Sequence, residues 1–370
     1  MNEDDDDETI KVILACSGII NDLRMSGAKG KKLPYITAVI HDKKNMNAAR
    51  LAGGKDLEVI CYQELMSRIM ANSSRTAGLS HVFTTLFNYE GSDIYYVDKN
   101  AIKLSGKRVI ASDGSKKHMN DLTLYELNQY LTNATIIGGS RGKINNKVEQ
   151  GRLNDNRWEE MESCLLPTMK SKLVKDVDHF YALQMDDTPI EVTKNTCTIS
   201  CKEVKKKSFS PHTRPDAILG VSTLLIQVLK ELETFLREDT PVYILETKEK
   251  LDTYLADEDI QEEIQKITNV RLVWVPLDID HYNSLYEFMS APEHREIRSA
   301  IILSDNLFVD ENLPKQEQKE VADSLTISRL LSLRKIQADL MPELFITCEM
   351  NYDENKNLAE RTGSEGLYCR

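Results

Sequence analysis

Residues 45–97 read NMNAARLAGGKDLEVICYQELMSRIMANSSRTAGLSHVFTTLFNYEGSDIYYV, and the order of elements within this stretch decides the fold. A helix ends at Gly53-Gly54, and Leu57-Glu-Val-Ile60 is a short apolar strand. Two amphipathic helices follow. In the first, Leu65, Met66, Ile69 and Met70 share one face; in the second, Leu79, Val82, Phe83, Leu86 and Phe87 recur at i, i+3, i+4, i+7 and i+8. Thr76-Ala-Gly78 breaks the pair, with Gly78 free to take a backbone angle that other residues resist. Two adjacent helices this apolar must bury a wide face, either in an ordinary core or at a subunit interface.

The chain around this stretch has 370 residues, of which 41% are apolar, so there is room for two domains or more with real cores. Its net charge of −12 argues against sequence-independent binding to nucleic acid or anionic lipid, which needs clustered Lys and Arg. The basic run Lys202–Lys207 is too short to reverse that balance and reads as solvated linker. No stretch reaches 18 consecutive apolar residues, and the start, MNEDDDDE, lacks the basic and apolar regions of a signal peptide. Seven scattered cysteines fit a reducing compartment better than a disulfide framework. A cytoplasmic chain is therefore expected, at the cytosolic face of a membrane if it serves a channel.

Upstream of the deciding stretch, the acidic run Asp4–Asp7 precedes a helical segment, Thr9 to Ile20, where carboxylates suit exposed helix amides. The run lacks EF-hand spacing. Leu33-Pro34 opens an apolar strand, Tyr35 to Ile40, and Lys43 to Gly53 is the next helix. Downstream, Ser92 to Val97 alternates as a strand. Signals then thin: Leu122–Leu131 reads as helix, and Ala134–Ile137 and Asp178–Gln184 read as strands. Gly138-Gly-Ser-Arg-Gly142 reads as a tight turn, because the strand–GxxxxGK[ST]–helix context of a phosphate loop is missing. From Asp187 to Arg214 the sequence is polar and aperiodic, a linker. Cys197, Cys201 and His212 lie there without a fourth ligand at regular spacing, which argues against a zinc knuckle.

A second unit begins at Pro215. Apolar strands Ala217–Val221, Val242–Leu245, Val270–Val275, Ala300–Leu303 and Leu344–Thr347 alternate with helical stretches. Those are Thr223–Leu236, Lys248–Leu255 with Asp259–Ile267, His281–Met289 and Val321–Ala338. Buried strands alternating with helices mean βαβ units and a parallel sheet covered on both faces, a doubly wound α/β fold. The tail also repeats the head. Thr9-Ile10 corresponds to Thr326-Ile327, Leu33-Pro34 to Met341-Pro342, and Asn45-x-Asn47-x-Ala49 to Asn355-x-Asn357-x-Ala359. The offset shortens from 317 to about 310 residues because the head carries an extra loop, SGAKGKK. The expectation is two tandem copies of one domain, the first incomplete at its N-terminal side and the second at its C-terminal side.

The succession of strand, ARLAGG, strand, QELMSRIM and GLSHVFTTLFNYEGSDIYYV resembles the cytosolic regions of Castor/Pollux-type ion channels, and more broadly the regulator-of-K+-conductance (RCK, TrkA-like) domain. The resemblance is dense from Thr9 to Val97 and thin elsewhere. It implies a division into four: 1–97, half of a first Rossmann-like lobe with the helix pair; 98–186, a small mixed α/β lobe; 187–214, a linker; and 215–370, a second lobe. It implies that the helix pair clasps two domains together, through Leu65, Met66, Ile69, Leu79, Val82, Phe83, Leu86 and Phe87. It also implies a homo-oligomeric gating ring, a tetramer of tandem domains, with pore helices upstream or in a separate subunit. Nucleic acid is not an expected partner.

For a ligand, a doubly wound domain offers the ground beyond the carboxyl ends of its strands. There the sequence places Glu246, Asp278, Asp280 with His281, Asp305 and Glu349, which could ring a cleft and hold a divalent cation or simply be solvated. Leu219-Gly220-Val221-Ser222 has one glycine where a dinucleotide fingerprint needs three, which counts against an oxidoreductase. Calcium is the ligand that the resemblance implies. Its expected positions are Val39 and His41 in the first copy, which depart from the pattern, and Glu349 and Asn351 in the second, where Glu349 is a partial match. No nucleophile–base–orienter set is visible in the sequence, so a non-catalytic regulatory role is expected. The alternatives are a free-standing regulatory subunit of a K+ transporter and an NAD(P)-dependent oxidoreductase.

Overall fold

A computed structural model describes residues 6–26, 34–76, 78–87, 92–102, 108–110, 114–141, 162–165, 172–193, 213–310, 312–352, 355 and 366–369. Asp4, Asp5, Gly142, the run Lys202–Lys207, the Cys197, Cys201 and His212 set, and Asn357 and Ala359 of the repeat lie outside them.

The first unit opens with helix α1 (Asp6–Met25), strand β1 (Ile36–Ile40), helix α2 (Met46–Gly53) and strand β2 (Leu57–Cys61). The two strands pair in parallel, and Ile13, Ile40, Met46, Ala49, Leu57 and Cys61 form a small core under the helices. Alternation sends Val39 and Ile60 to the other, open face. Helices α3 (Tyr62–Ser73) and α4 (Leu79–Phe87) follow, separated by Gly78 at φ +77°, the left-handed value that the break between them requires.

The small lobe contains β3 (Asp93–Asp98), β4 (Arg108–Ile110), β5 (Lys116–His118), α5 (Leu124–Leu127), β6 (Thr135–Arg141), β7 (Glu162–Leu165) and β8 (His179–Gln184). Four of the strands form an antiparallel sheet in the order β3-β8-β6-β7, and β4 and β5 form a hairpin. Several sequence expectations are corrected here. Strand β3, assigned to the first unit, pairs with β8 and so belongs to this lobe. Gly138-Gly-Ser-Arg is not a turn but the continuation of β6, where a side chain on Gly139 would collide with Val177. The helix expected over Leu122–Leu131 shrinks to one turn, started by a capping box between Thr123 and Glu126 and tightened into 3-10 turns. The linker begins later than Asp187, because Ile190 is buried in the lobe's core and Val192 bridges to Leu131.

The second unit runs β9 (Asp216–Leu219), α6 (Leu225–Glu233), β10 (Thr240–Glu246), α7 (Lys248–Leu255), α8 (Glu258–Gln265) and β11 (Val270–Pro276). It continues through α9 (Tyr282–Ser290), β12 (Ser299–Ile302), α10 (Lys315–Asp339), β13 (Phe345–Met350) and β14 (Gly366–Cys369). All six strands are parallel, in the order β11-β10-β9-β12-β13-β14. This is the doubly wound α/β fold, with the order reversing between β9 and β12. Strand β14, whose four residues carry little apolar signal, was not anticipated from the sequence. It is the counterpart of β2, as β13 is of β1.

The repeat is reproduced in atomic detail. Asp6 accepts from the backbone N–H groups of His41 and Asp42 and from Asn45 Nδ2, at 2.8, 3.0 and 2.8 Å. Asp323 accepts from the N–H groups of Asn351 and Tyr352 and from Asn355 Nδ2, at 2.7, 3.1 and 2.8 Å. The aspartates are 317 residues apart and their partners 310, the two offsets read from the sequence. In each copy a helix-borne carboxylate ties off the end of the strand that follows it. The copies differ in what covers them: Val12 and Ile19 are exposed on α1, whereas their counterparts on α10, Arg329 and Ile336, are fully buried against the larger sheet.

Candidate functional site

The carboxyl ends of β9, β10 and β12 converge on Arg329, which enters from α10 and is fully buried. Its Nε donates to Asp280 Oδ1 at 2.7 Å, and its Nη2 donates to Asp280 Oδ2 at 3.3 Å and to Asp305 Oδ2 at 3.1 Å. Burial alone would lower the guanidinium pKa, but Asp280, Asp305 and Glu246 together hold it above its ordinary value. Lys250 on α7 pairs with Asp305 as well and lies 3.9 Å from Glu246. Burial pushes the Glu246 carboxyl up, opposed by the bond it accepts from Thr247 N at 2.8 Å and by Lys250. Arg329 Nη1, Glu246 Oε2 and Asp305 Oδ1 remain buried without a hydrogen-bond partner among the described residues.

Three of the five carboxylates named from sequence, Glu246, Asp280 and Asp305, are thus brought together. Glu349 joins their edge: its Oε2 accepts from Ser304 N at 2.9 Å, next to Asp305. Asn351, the other position considered for calcium, donates from Nδ2 to Ser304 Oγ and Asp323 Oδ1 at 2.9 and 2.8 Å. Asp278 stays outside the cluster, exposed, with Oδ1 accepting from Asp280 N. The charges that these groups face are the chain's own Arg329 and Lys250. Among the described residues, no group of three or more His, Cys, Asp or Glu side chains converges as a metal site.

Gly220 explains the single glycine of the β9 loop. It sits at φ +93°, and a Cβ there would lie 3.1 Å from Leu303 O and 3.3 Å from Arg329 Nη1. The missing side chain makes room for β12 and the guanidinium at the place where a dinucleotide fold would receive pyrophosphate. Arg329 was missed from the sequence. The signal was present: Thr326, Arg329, Leu330, Leu333 and Ile336 form one helical stripe, and a guanidinium on an apolar stripe demands buried carboxylates.

The helix pair is the other stretch singled out in the sequence. Met66, Ile69, Met70 and Ala71 pack with Ile218, Val221, Ile301 and the buried face of α6 in one continuous core, and Phe83 packs against it. Helix α3 also lies on β13 and β14, and α4 on β14. The pair therefore roofs the part of the second sheet that α6 leaves open. Leu65 and Val82 point elsewhere, 42% and 49% exposed, and Leu79 and Leu86 are half-buried. The side chain of Phe87 lies outside the described residues. The face expected to serve a clasp is thus split: Met66 and Ile69, with Phe83, join two units of one chain, and Leu65 and Val82 face solvent.

Ion pairs seal this joint. Arg75 Nη1 meets Asp216 Oδ2 at 2.7 Å with both side chains buried, and Ser299 Oγ donates to Asp216 Oδ1 at 2.8 Å. Burial raises the Asp216 carboxyl while Arg75 pulls it down. At the rim, Arg68 Nε reaches Glu231 Oε1 at 2.9 Å and Lys44 pairs with Asp259.

No family model and no curated protein matches this chain. Among solved structures, the RCK domain of GsuK aligns over 95% of this chain and 57% of its own, at 14% identity and TM-score 0.37. The human SLO3 gating ring aligns over 89% of this chain and 57% of its own, at 12% identity and TM-score 0.48. A ketoreductase domain from the bacillaene assembly line aligns over 49% and 39%, at 14% identity and TM-score 0.28. The chain therefore spans little more than half the length of the GsuK and SLO3 chains. At 12–14% identity these likenesses concern the fold alone.

Proposed function

We propose that this chain is a non-catalytic, ligand-sensing regulatory region of a cation channel of the Castor/Pollux type, built from tandem RCK-like units. The observation that carries the reading is the joint: α3 leaves one copy of the repeated unit and completes the core of the other. A ligand that alters the second lobe therefore acts on the helix linking the two copies, provided it binds their alternative arrangements with different affinity. In the channel, a change in how the two copies are arranged would pass to pore helices upstream or in a separate subunit. Leu65 and Val82, apolar and exposed on the same helix pair, are the residues we assign to contact between chains in a homo-oligomeric ring. No described helix is long and apolar enough to cross a membrane. Calcium is the proposed effector, with the buried Glu349 as its carboxylate ligand and Arg329 the cation it would compete against.

The test is light scattering and small-angle scattering on the purified full chain, with and without millimolar calcium. A dimer or larger ring, dissociated by Leu65→Asp with Val82→Asp and altered in radius by calcium, supports the reading. A monomer indifferent to both overturns it. One observation favours a second reading, an NAD(P)-dependent oxidoreductase: the strand order is that of dinucleotide-binding sheets. Arg329 against Gly220 opposes it. Saturable NADH binding by fluorescence would revive it.

A further inference from the structure

At the opposite, amino-terminal edge of the second sheet lies a cleft of about 460 Å³, away from the switch point. Arg214, Arg298, Gln337, Pro342, Leu344 and Phe345 line it, with Glu343 at its rim. Its geometry follows from the sheet. Arg298 immediately precedes β12, its N–H donating to Pro215 O at 2.8 Å and its carbonyl accepting from Phe345 N at 2.9 Å. Two strand starts thus hold the Arg298 backbone, and its guanidinium lies over the Phe345 ring, 6.0 Å from the centroid.

The charge in this cleft is not balanced. Arg298 has no carboxylate partner among the described residues; its Nη2 donates to a backbone carbonyl, Arg75 O, at 2.9 Å. The nearby Asp216 accepts from Arg75 and Ser299, one on each oxygen, and acts on Arg298 only as a neighbouring charge without a hydrogen bond. Arg214 holds Glu296 O through Nε at 3.1 Å and reaches Glu343 Oε2 at only 3.4 Å, on a glutamate whose side chain is 82% exposed. Burial and then the neighbouring Arg75 lower the Arg298 pKa, Asp216 opposes them, and Arg214 adds to the lowering. A guanidinium fork on an apolar, aromatic wall is a fit for a planar or tetrahedral oxyanion carrying an apolar body.

We propose that this cleft is a binding site for a small phosphate- or carboxylate-bearing molecule, its anionic head held by Arg298 and Arg214 and its body laid on Phe345, Leu344 and Pro342. Glu343 is the internal competitor, released from Arg214 when the ligand enters. Because Arg298 also holds the carbonyl of Arg75, beside the ion pair that closes the joint, occupancy is read directly at the end of α3.

Calorimetric titration of the full chain with inorganic phosphate and with phenyl phosphate tests this. Both should bind at one site per chain, phenyl phosphate more tightly because it also covers the aromatic wall. Arg298→Gln should weaken both by about tenfold or more, the loss of one charge-assisted contact, and Arg298→Lys should fall between. Glu343→Gln, at an exposed side chain that leaves folding intact, should tighten both severalfold by freeing Arg214. Absence of saturable binding in the wild-type chain, or affinities that Glu343→Gln leaves unchanged, would overturn the proposal. It stands apart from the channel reading, which fails on calcium response and assembly rather than on oxyanion binding.

Discussion

Replacing Arg329 by Met removes a fully buried guanidinium and leaves an apolar chain of similar length. Asp305 and Glu246, 1% and fully buried, then have only Lys250 for a counter-charge. Breaking a buried pair by deleting one partner costs about 3–5 kcal/mol. The Asp280 side of the cluster is 37% exposed and screened by solvent, so its share is discounted and about 3 kcal/mol is expected. For a lobe of this size that is a fall of roughly 6–12 °C in melting temperature. The sign with pH follows from Glu246, which burial holds above 4.5. A carboxyl with a raised folded-state pKa binds more protons folded than unfolded, so its contribution to stability falls as pH rises above 4.5. In the variant this penalty grows, so the deficit should be larger at pH 7 than at pH 5. Circular-dichroism melts at both pH values, with amide exchange of β9 and β12 as the local probe, measure it. Adding Asp305→Asn should restore about half of the loss, since it removes one of the stranded charges. A deficit below about 1 kcal/mol, or one independent of pH, would refute the view that Arg329 is the counter-ion on which this cluster depends.

Three further outcomes are expected. Met70→Ala, at a fully buried position in the joint, should cost about 2–3 kcal/mol and raise amide exchange in α6 as well as α3; a change confined to α3 would mean the two units do not share a core. Gly220→Ala should destabilise by about 2 kcal/mol or more, through both its φ of +93° and the approach of Leu303 O, and a neutral melt would contradict that geometry. Bonds from Lys230 and Lys266 hold the Glu263 carboxyl down at about 2. Its stabilisation is therefore complete above the ordinary value of 4.5 and lost as pH falls through about 2, so Glu263→Gln should flatten the acid limb of a stability–pH curve, less so in high salt.

By itself the sequence determined the elements and their repetition. Strands at 217–221, 242–245, 270–275 and 300–303 were legible because a sheet buried on both faces makes each strand a continuous apolar run, and helix periods separate them. The repeat was legible because Asp6 and Asp323 with Asn45 and Asn355 do the same work in each copy, down to the offset. Strand β14 and the course of β6 through Gly138-Gly-Ser-Arg were not, since short or glycine-rich strands owe their existence to a paired neighbour rather than to their own residues. Only the tertiary structure decided the site. Strand-end carboxylates on an acidic chain look like a cation cage, and whether their partner is an ion or a side chain depends on α10, whose Arg329 crosses 24 residues of sequence to reach Asp305 and 49 to reach Asp280. The helix pair poses the same problem. Its apolar stripes announce burial, but which surface buries them is set by long-range packing of α3 on α6, which no local periodicity encodes.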